Sequence, residues 1–397
     1  SLAAALGAVD GGPQDAARYL VAAKAGKGDA AIYGAPTGAL PHSAGRGWAP
    51  AEVRYTRDYG TYGATLPLGW VEHETLIDPF TILDVVDYGD TGMDPYNQSR
   101  TLEELRRVTR EIAETGAIPI AIGGDHSLPH ATFRALVDVY GRKKVAFVHC
   151  DAHLARGFGK FGAFYHSGSY MTMAVDEGLV EGKHVIQFGM STPVFGEKDW
   201  EQVAKEGGKV YHLHQIRRDG MRATFDKMYA DLADIDLVHI SFDVDVFDVS
   251  YAPGTGSSSP TGVTPNELFP LLREFAARKT IVGMDLVEFN PLYDNQGQQT
   301  ARLCRRILLQ FLTGIAMKKN GIAPDYVHPR LRGDRCSARP ANPRRQLRSG
   351  RAPPRPDRPS PRARGGRCGR RRDLPDRRGP DHRRDRARPG RSGAARR

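Results

Sequence analysis

Eight short apolar runs, most of them rich in Val and Ile and ending on Gly, Asp or His, alternate along this chain with longer amphipathic stretches. They run from Ala30 to Pro36 (AAIYGAP), Thr81 to Asp90 (TILDVVDYGD), Ile118 to Ser127 (IPIAIGGDHS), Lys144 to His153 (KVAFVHCDAH), His184 to Met190 (HVIQFGM), Val210 to His214 (VYHLH), Leu237 to Asp248 (LVHISFDVDVFD) and Thr280 to Pro291 (TIVGMDLVEFNP). A strand that is apolar nearly throughout must be covered on both faces, and a helix after each strand supplies the cover. The pattern therefore predicts an α/β fold with a parallel sheet between helices. The stretch Ser99 to Gly116 reads as one such helix, starting on a Ser cap and ending on Gly, with Leu102, Leu105 and Val108 at helical spacing. Thr264 to Lys279 and Gln298 to Lys319 read the same way, and no internal repeat is visible.

Charge divides the chain. Residues 329–397 hold 25 of its 57 Lys and Arg but only 6 of its 46 Asp and Glu, so the body is acidic and the net charge of +11 belongs to the tail. With no aromatic and few apolar residues, the stretch after about residue 326 cannot offset the entropy of ordering its backbone, and disorder is expected. Arginine-rich segments can bind nucleic acid through phosphates, but this one lacks stacking aromatics and Lys. Arg, Pro, Gly, Ala and Asp are also what a GC-rich reading frame encodes under little constraint, and we take nucleic-acid binding as the weaker reading. Residues 1–27 read as an extension, leaving 28–325 for the folded domain. Cys150, Cys304, Cys336 and Cys368 show no C-x-x-C spacing, which argues against a disulfide framework or a thiolate zinc site. No run approaches the roughly 18 apolar residues of a membrane span, and the first twenty residues lack a basic start leading into an apolar core, so a soluble, cytoplasmic protein is expected.

The polar residues fall at one kind of place. Asp125 and His126, Asp151 and His153, Asp243 and Asp245, and Glu288 lie at or just after the C-terminal end of an expected strand. In open parallel sheets those ends form the crevice where ligands bind. A lone Asp-x-His is more often a helix cap or surface pair; three such groups after three strands point to a metal centre. Mixed imidazole and carboxylate donors suit Mn, Zn, Ni or Co rather than a soft, thiolate-bound metal. Without nearby Lys or Arg, the gathered carboxylates would repel one another unless cations neutralised them. A period of two would put Asp243 and Asp245 on one strand face, with Val244 and Val246 on the other. Asp248, next in register, reads either as a functional group or as a turn residue before VSYAPGTGSSSPTG.

GGDHS (Gly123–Ser127), DAH (Asp151–His153), SFDVDVFDVSYAPGTG (Ser241–Gly256) and DLVEFNP (Asp285–Pro291) resemble, in order, the signatures of the ureohydrolase family. That family includes arginase, agmatinase, guanidinobutyrase, proclavaminate amidinohydrolase and formiminoglutamase. The likeness runs from about Gly28 to Lys318 and includes SAGRGWAPAEVR (Ser43–Arg54), similar to the family's Gly-Ala-Arg-x-Gly-Pro loop; the tail has no counterpart. The resemblance implies a three-layer α/β/α domain with a mostly parallel sheet of about eight strands. It also implies two divalent ions, Mn2+ first and Ni2+ next, sharing a hydroxide that attacks a guanidinium carbon to yield an amine and urea. His126 would ligate the first ion, His153 and Asp245 the second, and Asp151 and Asp243 both. His166, in a loop where Ser167 interrupts the family's His-Gly pair, would pass protons to the leaving amine, a task suited to imidazole. Glu288 would bind the guanidinium. Homo-oligomers, trimers or hexamers, are a further implication.

Ala155 departs from the pattern. The family motif is Asp-Ala-His-x-Asp, whose last Asp ligates the first ion, whereas this chain has DAHLA. Three outcomes stay open: water or another side chain fills the vacancy, the first site binds weakly or selects a different ion, or the chain is a non-catalytic homologue serving as a regulatory or assembly subunit. Arg156 and Lys160 lie where the family contacts the far end of its substrate, which favours a guanidino carboxylic acid over the cation agmatine. His42, Trp48, Tyr59 and Tyr165 are candidates for shaping the entrance.

Overall fold

The computed structural model describes residues 28–38, 45–55, 71–155, 165–194 and 197–331; the N-terminal extension and nearly all of the arginine-rich tail lie outside them. Each of the eight apolar runs contributes one strand: β1 (Ala30–Ala35), β2 (Val85–Asp90), β3 (Ile118–Gly123), β4 (Ala146–Cys150), β5 (Val185–Phe188), β6 (Lys209–Tyr211), β7 (Leu237–Asp243) and β8 (Thr280–Val287). They form one sheet in the order β2-β1-β3-β8-β7-β4-β5-β6, parallel at every pairing.

The order explains where a site can form. After β3 the chain crosses to β4, builds outward through β5 and β6, then returns so that β7 and β8 fill the gap between β4 and β3. The four central strands are therefore the ones whose ends carry the Asp, His and Glu groups. Register sets their heights. Cys150 lies opposite Phe242, Asp243 opposite Val287, and Ile122 opposite Leu286, so the ends of β3, β4, β7 and β8 finish nearly level.

Alternation then sorts the side chains. Val148, Cys150, Ile240, Phe242 and Leu286 face a core shared with helices Pro265–Arg278 and Gln299–Lys319. On the opposite face, helices Gln98–Glu114, Pro129–Tyr140 and Tyr170–Asp176 pack over Ala31, Tyr33, Ala121 and Phe147. This is the three-layer α/β/α arrangement. No helix among the described residues is long and apolar enough to cross a membrane.

Helix boundaries differ from the sequence reading in one respect. Asn97, not Ser99, caps Gln98–Glu114, its side chain accepting from the Arg100 amide. An Asx oxygen suits the N-cap position as well as a hydroxyl, so the Asn two residues earlier takes it. Thr264 caps Pro265–Arg278 as expected, in a reciprocal box with Glu267.

One buried ion pair ties the loop before β2 to the helical layer. Glu72 lies 3.1 Å from Arg273, both nearly inaccessible, and also accepts from the Thr75 amide and hydroxyl. Burial opposes ionisation, yet Arg273 and these donors hold the Glu72 carboxyl below its ordinary value of 4.5. Its contribution is present above pH 4.5 and is lost as pH falls through the depressed folded value. Glu72→Gln is expected to lower stability by about 2 kcal/mol at pH 7, because Arg273 loses one of its two carboxylate partners and keeps Glu74. The deficit narrows in urea denaturation below pH 4.5, where the wild-type group also loses its charge.

Candidate metal centre

The GGDH turn delivers the first histidine. Gly124 is required by close approach, since a Cβ there would sit 1.9 Å from the Thr37 carbonyl oxygen. Asp125 stays outside the cluster: its carboxylate accepts from the Ser127 amide and hydroxyl and from the Thr37 hydroxyl, which fastens the turn. His126 is thereby aimed inward, its Nδ1 3.0 Å from Asp151 Oδ2 and 3.0 Å from Asp243 Oδ2.

Asp151 follows β4 and is shared by two groups of donors. Its Oδ2 meets His126, and also His149 Nε2 at 2.8 Å, while its Oδ1 lies 3.1 Å from His153 Nδ1. His153 Nδ1 is in turn 3.0 Å from Asp245 Oδ2. Two sets of candidate ligand atoms result, His126 with His149 and Asp151, and Asp151 with His153 and Asp245, each within 4.8 Å of one another. The first set is buried; the His153 side chain is 40 % exposed, so the centre opens on that side.

Asp245 reaches the centre by a route the sequence reading did not anticipate. β7 ends at Asp243, whose side chain caps a short 3-10 turn, Val244–Val246, by accepting from the Asp245 amide at 2.8 Å. Strand alternation thus does not bring Asp245 to the same side; the turn does, while Val244 and Val246 still enter the core. Asp248 resolves as a turn residue, accepting from the Ser250 amide and hydroxyl.

The electrostatics are those of a crowded anionic site. Burial and the neighbouring Asp245 and Asp151 push the Asp243 carboxyl well up, and burial with Asp151 raises Asp245. Burial acts against Asp151 too, but His149, His126 and His153 hold its carboxyl well below the ordinary range. Burial disfavours charge on His126 and His153, yet their carboxylate partners raise them to about 10 and about 12. Among the described residues, every ion pair of Asp151, Asp243 and Asp245 is with a histidine. Protonated imidazoles thus occupy the positions from which neutral ones would donate to a divalent cation. Buried, level carboxylates with imidazoles between them fit such ions in charge and donor type.

Glu288 lies beside the centre rather than in it. It follows β8 at φ 68°, an uncommon backbone for a residue with a side chain. Its Oε1 accepts from the His126 amide at 2.7 Å and its Oε2 pairs with the guanidinium of Arg46 at 2.7 Å. Burial pushes Glu288 up to about 7 against the lowering pull of Arg46. His166 is buried in the loop before helix Tyr170–Asp176, its Nδ1 accepting from the Gly168 amide at 3.0 Å. His130 braces the same loop through the Ser169 hydroxyl, and Tyr165 packs edge-on against His130. Trp48 is 62 % exposed. Arg156, Lys160, His42 and Tyr59 lie outside the described residues.

Several participants were not read from the sequence. The Tyr170 hydroxyl lies 3.1 Å from His126 Nε2 and 2.6 Å from His149 Nε2, and the Ser241 hydroxyl is 2.8 Å from His126 Nε2. His149 and Ser241 each precede a site aspartate by two residues, so strand periodicity could have placed them on its face. Tyr170 and Arg46 carry no such local signal.

A model of the arginase family matches residues 28–314 of this chain. An agmatinase of mitochondria from Gallus gallus is 31% identical over 234 residues, 59% of this chain and 67% of that protein. A guanidinopropionase of Pseudomonas aeruginosa is 30% identical over 249 residues, 62% of this chain and 76% of that one. Among solved structures, proclavaminate amidinohydrolase of Streptomyces clavuligerus superposes with a TM-score of 0.63 at 26% identity, covering 73% of this chain and 92% of the other. A formiminoglutamase of Trypanosoma cruzi, solved with Mn2+, shares the fold at a TM-score of 0.64 and 23% identity, covering 73% and 94%.

Proposed function

This chain belongs to the arginase family, and from that premise we propose that it is a divalent-metal-dependent amidinohydrolase, cleaving a guanidino compound to an amine and urea. The observation that carries the reading is the split of Asp151, one oxygen on His126 and the other on His153, with Asp243 and Asp245 alongside. Such a carboxylate suits a pair of ions, Mn2+ for preference given the oxygen-rich donors. When bound, the ions would neutralise the carboxylates and acidify water near neutral pH. His126, Asp151 and Asp243 would hold one ion, and His153, Asp245 and the same two aspartates the other.

The remaining residues then have defined tasks. Glu288 has both oxygens engaged, but a carboxylate offers about four acceptor positions, so it can still take N–H donors from a substrate guanidinium. Arg46 and the His126 amide fix its orientation. The His166 Nδ1 accepts from the Gly168 amide, which fixes the ring; a proton taken up by this imidazole would make it cationic, and it could then release one from Nε2 to the departing amine and return to the neutral form. Substrate choice follows from charge: Arg156 and Lys160 favour a carboxylate at the far end.

The test is a screen of the Mn2+-loaded protein for urea release from 4-guanidinobutyrate, 3-guanidinopropionate, agmatine, arginine and guanidine, and for formamide release from formiminoglutamate. Guanidino acids are expected to give urea at the highest kcat/KM. A preference for agmatine would overturn the assignment of substrate class, and neither urea nor formamide from any compound would favour the non-catalytic reading that Ala155 motivates.

A further inference from the structure

Ala155 removes a carboxylate from the family's first site, and the structure offers a specific group in its place. The Ala155 methyl is buried in an apolar cluster with Phe147, Tyr170 and Met171 and presents no donor atom. Its amide donates to Gln187 Oε1 at 3.1 Å, and Gln187 is the register partner of His149 across the pairing of β4 with β5. The vacated position and His149 are thus neighbours through one residue.

His149 is inaccessible to solvent and leaves β4 two residues before Asp151, on the same strand face. Its Nε2 and the His126 Nδ1 converge on a single oxygen, Asp151 Oδ2, at 2.8 and 3.0 Å. The two imidazole rings lie 5.1 Å apart between centroids. The tight donor set around His126 therefore contains His149.

We propose that His149 is the replacement ligand of the first ion, which it would share with His126, Asp151 and Asp243. The proposal rests on the two-ion reading above. Two imidazoles and two carboxylates make this site one charge less negative than a site with the family aspartate. Nitrogen-rich donors also shift preference from Mn2+ toward Ni2+, Co2+ or Zn2+. The second site, with one imidazole among carboxylates, keeps its oxygen-rich character.

The test uses the full chain, loaded with Mn2+ or Co2+, with bound metal counted by elemental analysis alongside titration calorimetry. Wild type should hold two ions, with Co2+ favoured over Mn2+ at one of them. His149→Gln should keep one ion at wild-type affinity and weaken the other by at least about 10- to 100-fold, the scale for groups that merely support a ligand. Adding Ala155→Asp to His149→Gln should restore binding of the first ion and move its preference back toward Mn2+. Two ions at wild-type affinity in His149→Gln would overturn the ligand assignment while leaving the two-ion reading intact. Fewer than two in the wild type would overturn both. If His149→Gln does not fold, crystals of the wild type soaked in Mn2+ decide the matter. Anomalous density bonded to His149 Nε2 supports the assignment, and density bonded to His126 but not to His149 refutes it.

Discussion

Asp243→Asn should reduce urea release by at least about 10³-fold while leaving the metal-free protein folded. Asp243 is the end residue of β7, and burial and two neighbouring carboxylates act against its charge, only partly offset by His126. In the metal-free chain that charge is a liability. An amide keeps the acceptor used by the Asp245 amide and removes the repulsion, so melting temperature without metal should stay within a few degrees of wild type. With metal the balance reverses. Changes to groups that only support ligands typically cost about 10- to 100-fold in affinity or activity, and an aspartate proposed to ligate both ions should cost more. A thermal melt with and without Mn2+, paired with a urea assay, separates the two effects. Retained metal-induced stabilisation in Asp243→Asn would show that this carboxylate is not a ligand.

The second large effect is on stability. Mn2+ at about 1,000 times its dissociation constant adds about 4 kcal/mol to the folded state, which for a domain of this size raises Tm by roughly 10 °C. The pH dependence has a definite sign. Without metal, His126 and His153 are raised above the ordinary 6.5, so they stabilise the fold below that pH and lose the contribution as pH climbs toward about 10 and 12. Metal must displace those protons, so its affinity grows with pH. The gap in Tm between loaded and chelated protein should therefore widen between pH 6 and pH 9. A gap that shrinks over that range would mean that the ions bind elsewhere.

Much of this was legible because parallel, doubly covered strands leave a plain mark. Each of β1 to β8 lies in or overlaps an uninterrupted apolar run, and the acidic and imidazole groups sit where those runs stop. What was not legible depends on contacts distant in sequence or on local competition between backbone conformations. The alternation Asp-Val-Asp reads as a continuing strand, but Asp243 accepts from the Asp245 amide and turns the chain into a 3-10 turn. Ser99 reads as a cap, but Asn97 stands nearer the true helix start. Arg46 reaches Glu288 across more than two hundred residues, and Tyr170 reaches His126 and His149 from another layer. No periodicity encodes such pairings. His149 was hidden differently, because a histidine within an apolar strand usually reads as core, and only its position relative to Asp151 and Ala155 gives it meaning.

Titrating the chelated protein with Mn2+, while following urea release from 4-guanidinobutyrate against ions bound per chain, probes the proposed pair of divalent ions around Asp151. No release is expected from the metal-free protein, followed by a rise that reaches its plateau at two ions. Release that is unaffected by chelation, or none with two ions bound, would contradict that proposal.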